Sequence, residues 1–446
     1  AAALAAELAG AGVAGLTIAW ADNNGIPRSR TVPVDRIEEV ARRGVGITTL
    51  FAVFDTHDAI TFAHAGLSTP SGDVRLLPVL ERATRLAGQP RFAWAPGRQI
   101  AHDGRPWPYD QRGLLEAQVR RAAEAGLQLT AGYELEFFVG HDADGLDPAH
   151  DGPAYSPHAL LAVDELAAQL LEDLACNGLR IGQLHAEYGL SQLELSLTPA
   201  DPVKAADDQL LARQTIHAAA RARGLRVSFA PLVTAAGVGN GWHLHTSVWR
   251  DGENLLAGDA HDGPLAPDGR AYLAGLLRDL PAVAAVTAPS VPSLARLRPG
   301  YFASAYAFWG IENREAALRY VPGSELLGAG HANVELKPSD ASGNPYLALA
   351  AVIAAGVAGI EEGLELGPPI QENPGGWTAA ERRRAAVERL PETPAGQEAA
   401  LLASERVTGA LGEDLLGAFL AVRRSDAAWA AERTLEDVVA GHLWRY

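Results

Sequence analysis

Residues 131–140, with the sequence AGYELEFFVG, decide how this chain is interpreted, because two carboxylates interrupt a run that is otherwise typical of a buried strand. On a strand, Glu134 and Glu136 share one face, while the aromatic and aliphatic residues around them take the other. Two like charges on one face of a buried strand repel each other and lose hydration, and a bound cation would relieve both effects. The stretch therefore predicts a divalent metal site, although an edge strand with its acidic face in water would show the same pattern.

The composition excludes several classes of function. The chain has 446 residues, of which 48% are hydrophobic, so it can bury a large core in two or three domains or in one large body with an appendage. Its formal charge of −17 argues against a nucleic-acid partner, which requires clustered Lys and Arg. Lysine occurs only at Lys204 and Lys337, and neither follows a Gly-x-x-x-x-Gly run, so the sequence contains no P-loop.

Cysteine content and hydropathy bear on the cellular setting. Cys176 is the only cysteine, which allows no internal disulfide and favours a cytoplasmic protein; we interpret it as a small buried residue on a helix face. The longest apolar run, residues 346–360, is shorter than a bilayer span, so we expect no membrane partner. The first residues lack the cationic start of a signal peptide, and the absence of methionine indicates that residue 1 is not the translation start.

The distribution of turn residues predicts two domains. Between residues 13 and 78, short β-rich segments alternate with a polar helix, and the turn at residues 22–25 joins the first two strands as a hairpin. A Pro- and Gly-rich passage at residues 95–113 is typical of a boundary. We therefore assign residues 1–105 to a small α+β domain and residues 106–446 to a larger domain in which helical and strand patterns interleave.

Four strands of the larger domain each place polar residues on one face. The residues concerned are Glu134 and Glu136; Glu187 and Glu194; His243, His245 and Ser247; and Asn333, Glu335 and Lys337. Glu187 and Glu194 are seven apart and would lie on opposite faces of one straight strand, but Gly189 offers a break that lets both point inward. The pattern predicts an α+β fold in which a curved sheet encloses a polar site and packs its apolar face under helices.

Five carboxylates and one imidazole on these faces form a candidate metal-binding set. They are Glu134, Glu136, Glu187, Glu194, His243 and Glu335. Oxygen-rich ligand sets suit Mg²⁺ or Mn²⁺, and so many anionic ligands favour two ions over one. A metal hydrolase built on His243-x-His245 is an alternative that the hard-ion character of this set disfavours. The nearby arginines Arg296, Arg298, Arg314 and Arg319 indicate that phosphate or carboxylate groups bind opposite the metal.

The motifs YELEFF, AEYGLSQLE, GNGWHLHTS, RLRPGY, WGIENREAALR and NVELKPSDASGNPYLALA together resemble the glutamine synthetase superfamily. The resemblance extends from about residue 15 to the end of the sequence. It implies a β-grasp-like first domain and a catalytic domain with a curved antiparallel sheet, or half-barrel, backed by helices. It also implies a homo-oligomer of stacked hexameric rings with active sites between subunits, and an ATP-dependent ligase that uses two or three Mg²⁺ or Mn²⁺ ions.

The same resemblance assigns roles to individual residues. It places Glu136, Glu187 and Glu194 around one metal and Glu134, His243 and Glu335 around the other. It assigns His245, Ser247, Arg314 and Arg319 to ATP; Gly239, His243, Arg296 and Phe302 to the substrates; and Arg296, Arg314, Arg319 and Lys337 to catalysis. The implied chemistry is transfer of the ATP γ-phosphoryl group to a carboxylate, which gives an acyl phosphate that an amine attacks.

Two departures from the family pattern concern the amine. Ammonia-using members carry a glutamate after the Gly-Tyr of the GYFAS loop, where this chain has Phe302. Their acidic Asp-Gly-Ser-Ser loop is not recognisable here between Phe54 and Asp73, and Asp55 or Asp58 would be forced alignments. A phenyl ring in place of a carboxylate removes a cation site and adds apolar contact area. We therefore expect a γ-glutamyl amide synthetase, of the glutamate–amine ligase branch, that joins glutamate to an organic amine.

Several alternatives stay open at this level. The chain could be a glutamine synthetase in which another residue replaces the lost acid, or a ring-forming protein without catalysis, which the complete ligand set disfavours. Phe302 could only plug a loop, and Trp242 could be a core residue or a contact of adenine or amine. Val238, Asn333 and Lys337 stand where the family usually has other residues, so the sequence does not fix the acid substrate.

Overall fold

The computed structural model describes residues 1–141, 145–258 and 265–446. Its first part consists of helices α1 (Ala2–Gly10) and α2 (Ile37–Arg43) and strands β1 (Gly15–Ala21), β2 (Pro27–Pro33), β3 (Val45–Thr48), β4 (Asp73–Pro78), β5 (Thr84–Arg85) and β6 (Phe92–Ile100). The strands form one sheet in the order β2-β1-β6-β4-β3, with β5 beside β6. Strand β1 pairs antiparallel with β2 and parallel with β6, so this small α+β unit has a mixed sheet.

The predicted hairpin between β1 and β2 is present, and its turn faces the second part of the chain. The Asp22 carboxylate accepts hydrogen bonds from the backbone N–H groups of Asn24 at 2.9 Å and Ile26 at 3.1 Å, which fixes the turn. The Asn344 side chain donates to the backbone oxygen of Asp22 at 2.9 Å. The hairpin thus fastens the first sheet to the start of a central helix of the larger part.

The larger part is built on a second sheet. Its strands are β7 (Gln128–His141), β8 (Ile181–Ala186), β9 (Gln192–Leu197), β10 (Leu225–Ser228), β11 (Leu244–Arg250), β12 (Glu253–Asn254), β13 (Tyr306–Ala307), β14 (Trp309–Ile311), β15 (Leu318–Val321), β16 (Asn333–Leu336) and β17 (Glu388–Arg389). The sheet order is β14-β15-β16-β11-β7-β9-β8, with β10 beside β7 and β12 beside β11, while β13 and β17 pair separately. The expected antiparallel pattern is wrong at one place, because β14 and β15 run parallel.

Strand β7, which contains the opening motif, changes partner along its length. Residues 128–133 pair with β11, whereas residues 134–138 pair with β9. The two acidic residues of the motif therefore lie where the two halves of the sheet meet. Strands β8 and β9 form a hairpin closed by residues 187–191, so the break predicted at Gly189 is confirmed.

Helices of the larger part pack against this sheet or against one another. They are α3 (Gln111–Glu124), α4 (Pro157–Leu161), α5 (Asp164–Cys176), α6 (Pro202–Arg221), α7 (Pro267–Thr287), α8 (Val291–Arg296), α9 (Pro345–Glu362), α10 (Ala379–Arg384), α11 (Pro394–Ala403), α12 (Glu405–Leu411), α13 (Glu413–Ala431) and α14 (Leu435–His442). Helix α9 packs against α3, α6, α7 and α12. The whole helix, longer than the run 346–360 by itself, has the length and composition of a bilayer span, but 83% of its apolar window is buried inside the protein, as in a core helix.

Two side-chain predictions are settled by burial. Trp242 is 1% exposed and stacks on Tyr133 with ring centroids 4.6 Å apart, so it is a core residue. Cys176 is exposed, and its predicted burial is wrong because the apolar face of α5 turns Leu170 and Leu174 inward instead. The domain boundary at residue 105 stays a prediction, although the first sheet ends at Ile100 and α3 begins at Gln111.

Candidate active site

Cross-strand register brings a first group of polar side chains together at the centre of the sheet. Arg319 of β15 lies opposite Glu335 of β16, and Glu335 lies opposite His245 of β11. His245 Nε2 is 3.4 Å from a carboxylate oxygen of Glu134. His243 Nδ1 is 3.1 Å from Glu335 Oε1 and 3.5 Å from Glu134 Oε2. Glu134, His243, His245 and Glu335 are called the central cluster below.

Cations balance the carboxylates of the central cluster. Arg319 donates to Glu335 Oε2 at 2.9 Å, and Lys337 Nζ donates to Glu335 Oε1 at 3.1 Å. Burial alone would raise the pKa of Glu335, but Lys337 and the two histidines outweigh burial and hold this pKa well below its ordinary value. Burial would lower the pKa of His245, but the Glu134 and Glu335 carboxylates outweigh burial and raise it to about 9. Arg319 and Lys337 therefore oppose the negative charge of Glu335 from neighbouring positions.

A second group lies at the hairpin formed by β8 and β9. His185 is the cross-strand neighbour of Glu194, and its Nε2 is 3.7 Å from Glu194 Oε1 and 3.5 Å from Glu187 Oε1. Tyr155 donates to Glu187 Oε1 at 2.9 Å and stacks on the His185 ring. His185, Glu187 and Glu194 are called the hairpin cluster below. Burial, together with the neighbouring carboxylates of Glu134, Glu136 and Glu187, raises the pKa of Glu194 to about 10.

Glu136 connects the two clusters. It is the cross-strand neighbour of Glu194 on β9, and its Oε1 is 3.6 Å from His243 Nε2. Its other oxygen accepts hydrogen bonds from the backbone N–H of Gly241 at 2.7 Å and from the Gln192 side chain at 3.0 Å. All five predicted carboxylates and His243 thus form one continuous group on the sheet and its β8–β9 hairpin.

These side chains fit divalent cations. Ligand atoms of Glu134, His245 and Glu335 lie within 4.8 Å of one another, and those of the hairpin cluster satisfy the same limit. The donors are mainly carboxylate oxygens with few imidazoles, which suits Mg²⁺ or Mn²⁺ better than a structural zinc. A like-charge group such as Glu134, Glu136, Glu187 and Glu194 would also gain stability from a cation placed between its members.

Gly239 and Arg296, both predicted to bind substrate, are in direct contact. A Cβ atom on Gly239 would lie 2.7 Å from Arg296 side-chain carbons, so this close approach requires glycine. Gln192 donates to the backbone oxygen of Gly239 at 3.1 Å, which ties the pair to Glu136. Arg296 is 4% exposed and donates to the Ser339 backbone at 2.8 Å.

Two further predicted residues, Ser247 and Arg314, make no hydrogen bond or ion pair with the central cluster among the described residues. Ser247 is buried on the same face of β11 as His245 and donates to the Ala332 backbone at 2.9 Å. Arg314 is exposed in the turn before β15 and makes no hydrogen bond or ion pair with any described residue. The structure therefore brings Arg319 and Lys337 to the central cluster but leaves Arg314 outside it.

The loop that contains Phe302 forms a different kind of surface. Phe302 is 55% exposed and has a positive φ of 53°. Its backbone N–H donates to a carboxylate oxygen of Glu315 at 3.4 Å, and Ser304 Oγ donates to the Ala316 backbone at 3.1 Å. The loop thus rests on the turn that precedes β15, the strand that carries Arg319.

Asp55 and Asp58, the two acidic residues considered for the family's acidic loop, both contact other parts of this chain. Asp55 accepts from the backbone N–H of His57 and from Ser425 Oγ, both at 2.9 Å. Asp58 lies 2.7 Å from guanidinium nitrogens of both Arg28 and Arg445. Both carboxylates are therefore occupied by structural contacts, as expected if the family's acidic loop has no counterpart here.

Four residues of the site escaped the sequence analysis. Three of them, His185, Gln192 and Tyr155, contact predicted metal ligands, and Glu315 contacts Phe302. His185 had a detectable signal, because it lies two residues before Glu187. Tyr155 and Glu315 had none, since their contacts join segments that are distant in sequence or belong to turns.

Comparison with known proteins agrees with this geometry. The family model described as glutamine synthetase, catalytic domain, matches residues 108–438. A "Gamma-glutamylpolyamine synthetase GlnA3" of Streptomyces coelicolor is 42% identical over 100% of this chain and 96% of its own length. A "Glutamine synthetase" of Pyrococcus horikoshii is 31% identical over 84% of this chain and 80% of its own length.

A solved structure has the same overall fold. It is described as a "novel glutamine synthase homolog", has a TM-score of 0.87 and 32% sequence identity, and covers 97% of this chain and 99% of its own. The family match covers residues 108–438, and the structural match extends over the first sheet as well. This chain therefore belongs to the glutamine synthetase family.

Proposed function

We propose that this chain is an ATP-dependent ligase that joins the γ-carboxylate of glutamate to a primary amine carried on a carbon chain, with diamines and polyamines as its substrate class. One combined observation carries the proposal. The predicted carboxylates and His243 lie together, and the loop that contains Phe302 exposes a phenyl ring instead of a carboxylate. The family membership and the polyamine-related name of the Streptomyces relative support it.

The acidic face would hold the cations. Glu136, Glu187 and Glu194 are proposed ligands of one ion, and Glu134, His243 and Glu335 of the other, with His185 and His245 beside them. When bound, two or three Mg²⁺ or Mn²⁺ ions would neutralise charge on the phosphates of ATP. Glu335 is held in place by Arg319 and Lys337, so this ligand is already oriented by its neighbours.

The chain's own cations would position the reacting carboxylate and phosphates. Arg296 is proposed to bind the α-carboxylate of glutamate, with Gly239 leaving room for the amino acid beside it. His245, Ser247, Arg314 and Arg319 are proposed to contact ATP, and Lys337 and Arg319 to stabilise charge during phosphoryl transfer. Arg314 is exposed and without a partner among the described residues, so it is free to reach a nucleotide.

The acceptor side would select the amine. The amine nitrogen attacks the carbonyl carbon of γ-glutamyl phosphate, the bond from that carbon to the phosphate oxygen breaks, and the products are the amide, phosphate and a proton. The exposed ring of Phe302 offers apolar contact to a carbon chain. Glu315, next to the Phe302 backbone, offers a carboxylate for a second ammonium group. A diamine would use both features.

A glutamine synthetase that uses ammonium is the second candidate. Glu315 favours it, because a carboxylate 3.4 Å from the Phe302 backbone could attract ammonium in place of the acid that the family usually carries. The two candidates differ in what they require of the acceptor, because ammonium gains nothing from contact with a phenyl ring, whereas a carbon chain does.

The proposal extends to assembly and location. We propose a homo-oligomer of stacked hexameric rings with sites between subunits, acting in the cytoplasm on small-molecule substrates. A mass of one subunit, measured by light scattering at working concentration, would contradict the ring.

Initial rates of phosphate release with three matched acceptors test the function. We expect release only when ATP, Mg²⁺, glutamate and an amine are all present. Among the acceptors, 1,4-diaminobutane should exceed 1-aminobutane, which has the same carbon chain and one ammonium group fewer, and both should exceed ammonium. A reversed order, with ammonium the best acceptor, would support the second candidate instead.

A further inference from the structure

A cleft separate from the acidic face lies where the first domain meets helix α6 and the final residues of the chain. It has a volume of about 360 Å³ and is bordered by Ile26 and Pro27 at the start of β2, by Gln89, by α6 from Arg213 to Arg221, and by Arg445 and Tyr446. Small-molecule sites in proteins span roughly 300–1,000 Å³, so the cleft is large enough for a metabolite.

The charge of this cleft is opposite to that of the protein. Its described lining includes Arg213, Arg221, Arg445 and His217, and none of the described lining residues is Asp or Glu. The whole chain carries a formal charge of −17, so an acid-free pocket with three arginines departs from the general surface. Arg445 is paired with Asp58 at 2.7 Å, whereas Arg221 is exposed and has no ion pair among the described residues. The cleft thus has a net positive charge.

Arg213 is the unusual member of the set. It is 1% exposed, and its only hydrogen bond among the described residues runs from a terminal nitrogen to the Gly25 backbone at 2.8 Å. Its Nε is buried without a partner. Asp22, whose field reaches Arg213, is already paired with Arg28 at 2.8 Å. A buried guanidinium is costly without an anion, and burial lowers the pKa of Arg213 to about 10.

We propose that this cleft binds a small dianion, carrying a phosphate group or two carboxylates, between Arg213, Arg221 and Arg445. Guanidinium groups recognise both kinds of anion through paired N–H donors. Gln89, whose side-chain oxygen accepts a hydrogen bond from Gln214 at 3.0 Å, adds a neutral N–H donor on the rim. Because the lining combines the first domain with α6, an occupant bridges the two domains. Its binding stabilises the arrangement of the two domains by mass action, and it contacts none of the predicted metal ligands.

Calorimetric titration of the metal-free full-length chain at constant ionic strength tests the proposal. Inorganic phosphate is the probe in one arm and succinate in the other, with chloride as the monovalent reference. We expect saturable binding of phosphate or succinate, and the arm that saturates identifies the class of anion. Arg221→Gln, which removes an exposed side chain, should weaken this binding about tenfold through the loss of one charge-assisted contact.

Two control variants separate the cleft from general charge and from the catalytic face. Arg120→Gln removes one exposed positive charge on α3, and Arg314→Gln removes a proposed ATP contact. Both should leave the dissociation constant within twofold of the wild-type value. The proposal is overturned if neither anion binds saturably, if Arg120→Gln weakens binding as much as Arg221→Gln, or if only Arg314→Gln weakens it.

Discussion

The proposed site has two ends that are built differently. The metal end comprises the central cluster, the hairpin cluster and Glu136, and the acceptor end comprises Phe302 and Glu315. At the metal end, the predicted ligands lie on strands, in the hairpin between β8 and β9 or, for His243, directly before β11. Cross-strand register sets neighbours there, as for Glu335 opposite His245. At the acceptor end, Phe302 and Glu315 belong to a loop and a turn, and Phe302 has a positive φ. A sheet fixes its side chains more tightly than a loop does.

This difference indicates how one family can use different amines. The strand-borne end is suited to carboxylate activation, which any member must perform, whereas the loop-borne end can change its residues without disturbing the sheet. Changes at the metal end should therefore abolish activity with every amine. Changes at the acceptor end should alter the order of amines while leaving activation intact.

The largest effect is expected at Glu335. Glu335→Gln removes a charge that contacts His243, Arg319 and Lys337. It should lower kcat/KM about 10³-fold with every amine, because a metal ligand supports several kcal/mol of transition-state stabilisation. The matched control is Glu325→Gln, at an exposed position between β15 and β16. If Glu335→Gln spared activity with one amine only, the two ends would not be separable.

A smaller and selective effect is expected at Phe302. Phe302→Glu should raise kcat/KM for ammonium and lower it for 1-aminobutane, each roughly tenfold, because it adds an anionic site and removes apolar contact. Phe302→Leu keeps an apolar side chain and should preserve the wild-type order of amines. An unchanged order in Phe302→Glu would show that this residue only fills a loop.

Glu315 should discriminate between one and two ammonium groups. Glu315→Gln is expected to raise KM for 1,4-diaminobutane about tenfold through loss of one charge-assisted contact, with little change for 1-aminobutane. Glu312→Gln, at an exposed position in the same turn, is the matched control. Equal losses with the mono- and diamine would place Glu315 in loop structure instead of amine binding.

The smallest effect on activity is expected at Asp110, the N-cap residue of α3, a helix that packs against β7. This residue caps α3, is 5% exposed, and burial raises its pKa to about 7 from an ordinary value of 3.8. Because the folded pKa is the higher one, the folded state binds more protons between these values, and its stability falls as pH rises from about 4 to 7. Asp110→Asn keeps a capping group and removes this dependence.

Urea unfolding at two pH values measures that change. The stability of Asp110→Asn relative to wild type should increase by roughly 2 kcal/mol between pH 5 and pH 8, with kcat unchanged for every amine. Asp201→Asn, at the exposed N-cap of α6, controls for the cap itself. A loss of activity in Asp110→Asn would mean that the helices behind the sheet influence the site directly.

Strand periodicity made much of the metal end predictable from sequence. Glu134, Glu136 and Glu335 were found because alternate residues of a strand share a face, and the fold follows from burying the opposite face. Register is not encoded in one strand alone, so the approach of His245 to Glu134 was not foreseen. The parallel pairing of β14 with β15 was missed for the same reason.

Loop contacts were the least predictable part. The contact of Glu315 with Phe302 depends on how a loop rests on a turn, and no periodic signal reports it. The pairing of Asp58 with Arg445 joins residues that are 387 apart in sequence, which only the folded chain reveals. The exposure of Cys176 shows a related limit, because helix periodicity alone did not fix which side of α5 faces the core.

The central claim is that the acceptor is an amine on a carbon chain and not ammonium. One reaction that contains ATP, Mg²⁺, glutamate and equimolar ammonium and 1,4-diaminobutane tests it directly, with both products measured by mass spectrometry. We predict that the mono-γ-glutamyl derivative of the diamine exceeds glutamine by at least about tenfold, a difference of about 1.4 kcal/mol in transition-state binding. Glutamine as the main product would contradict the claim.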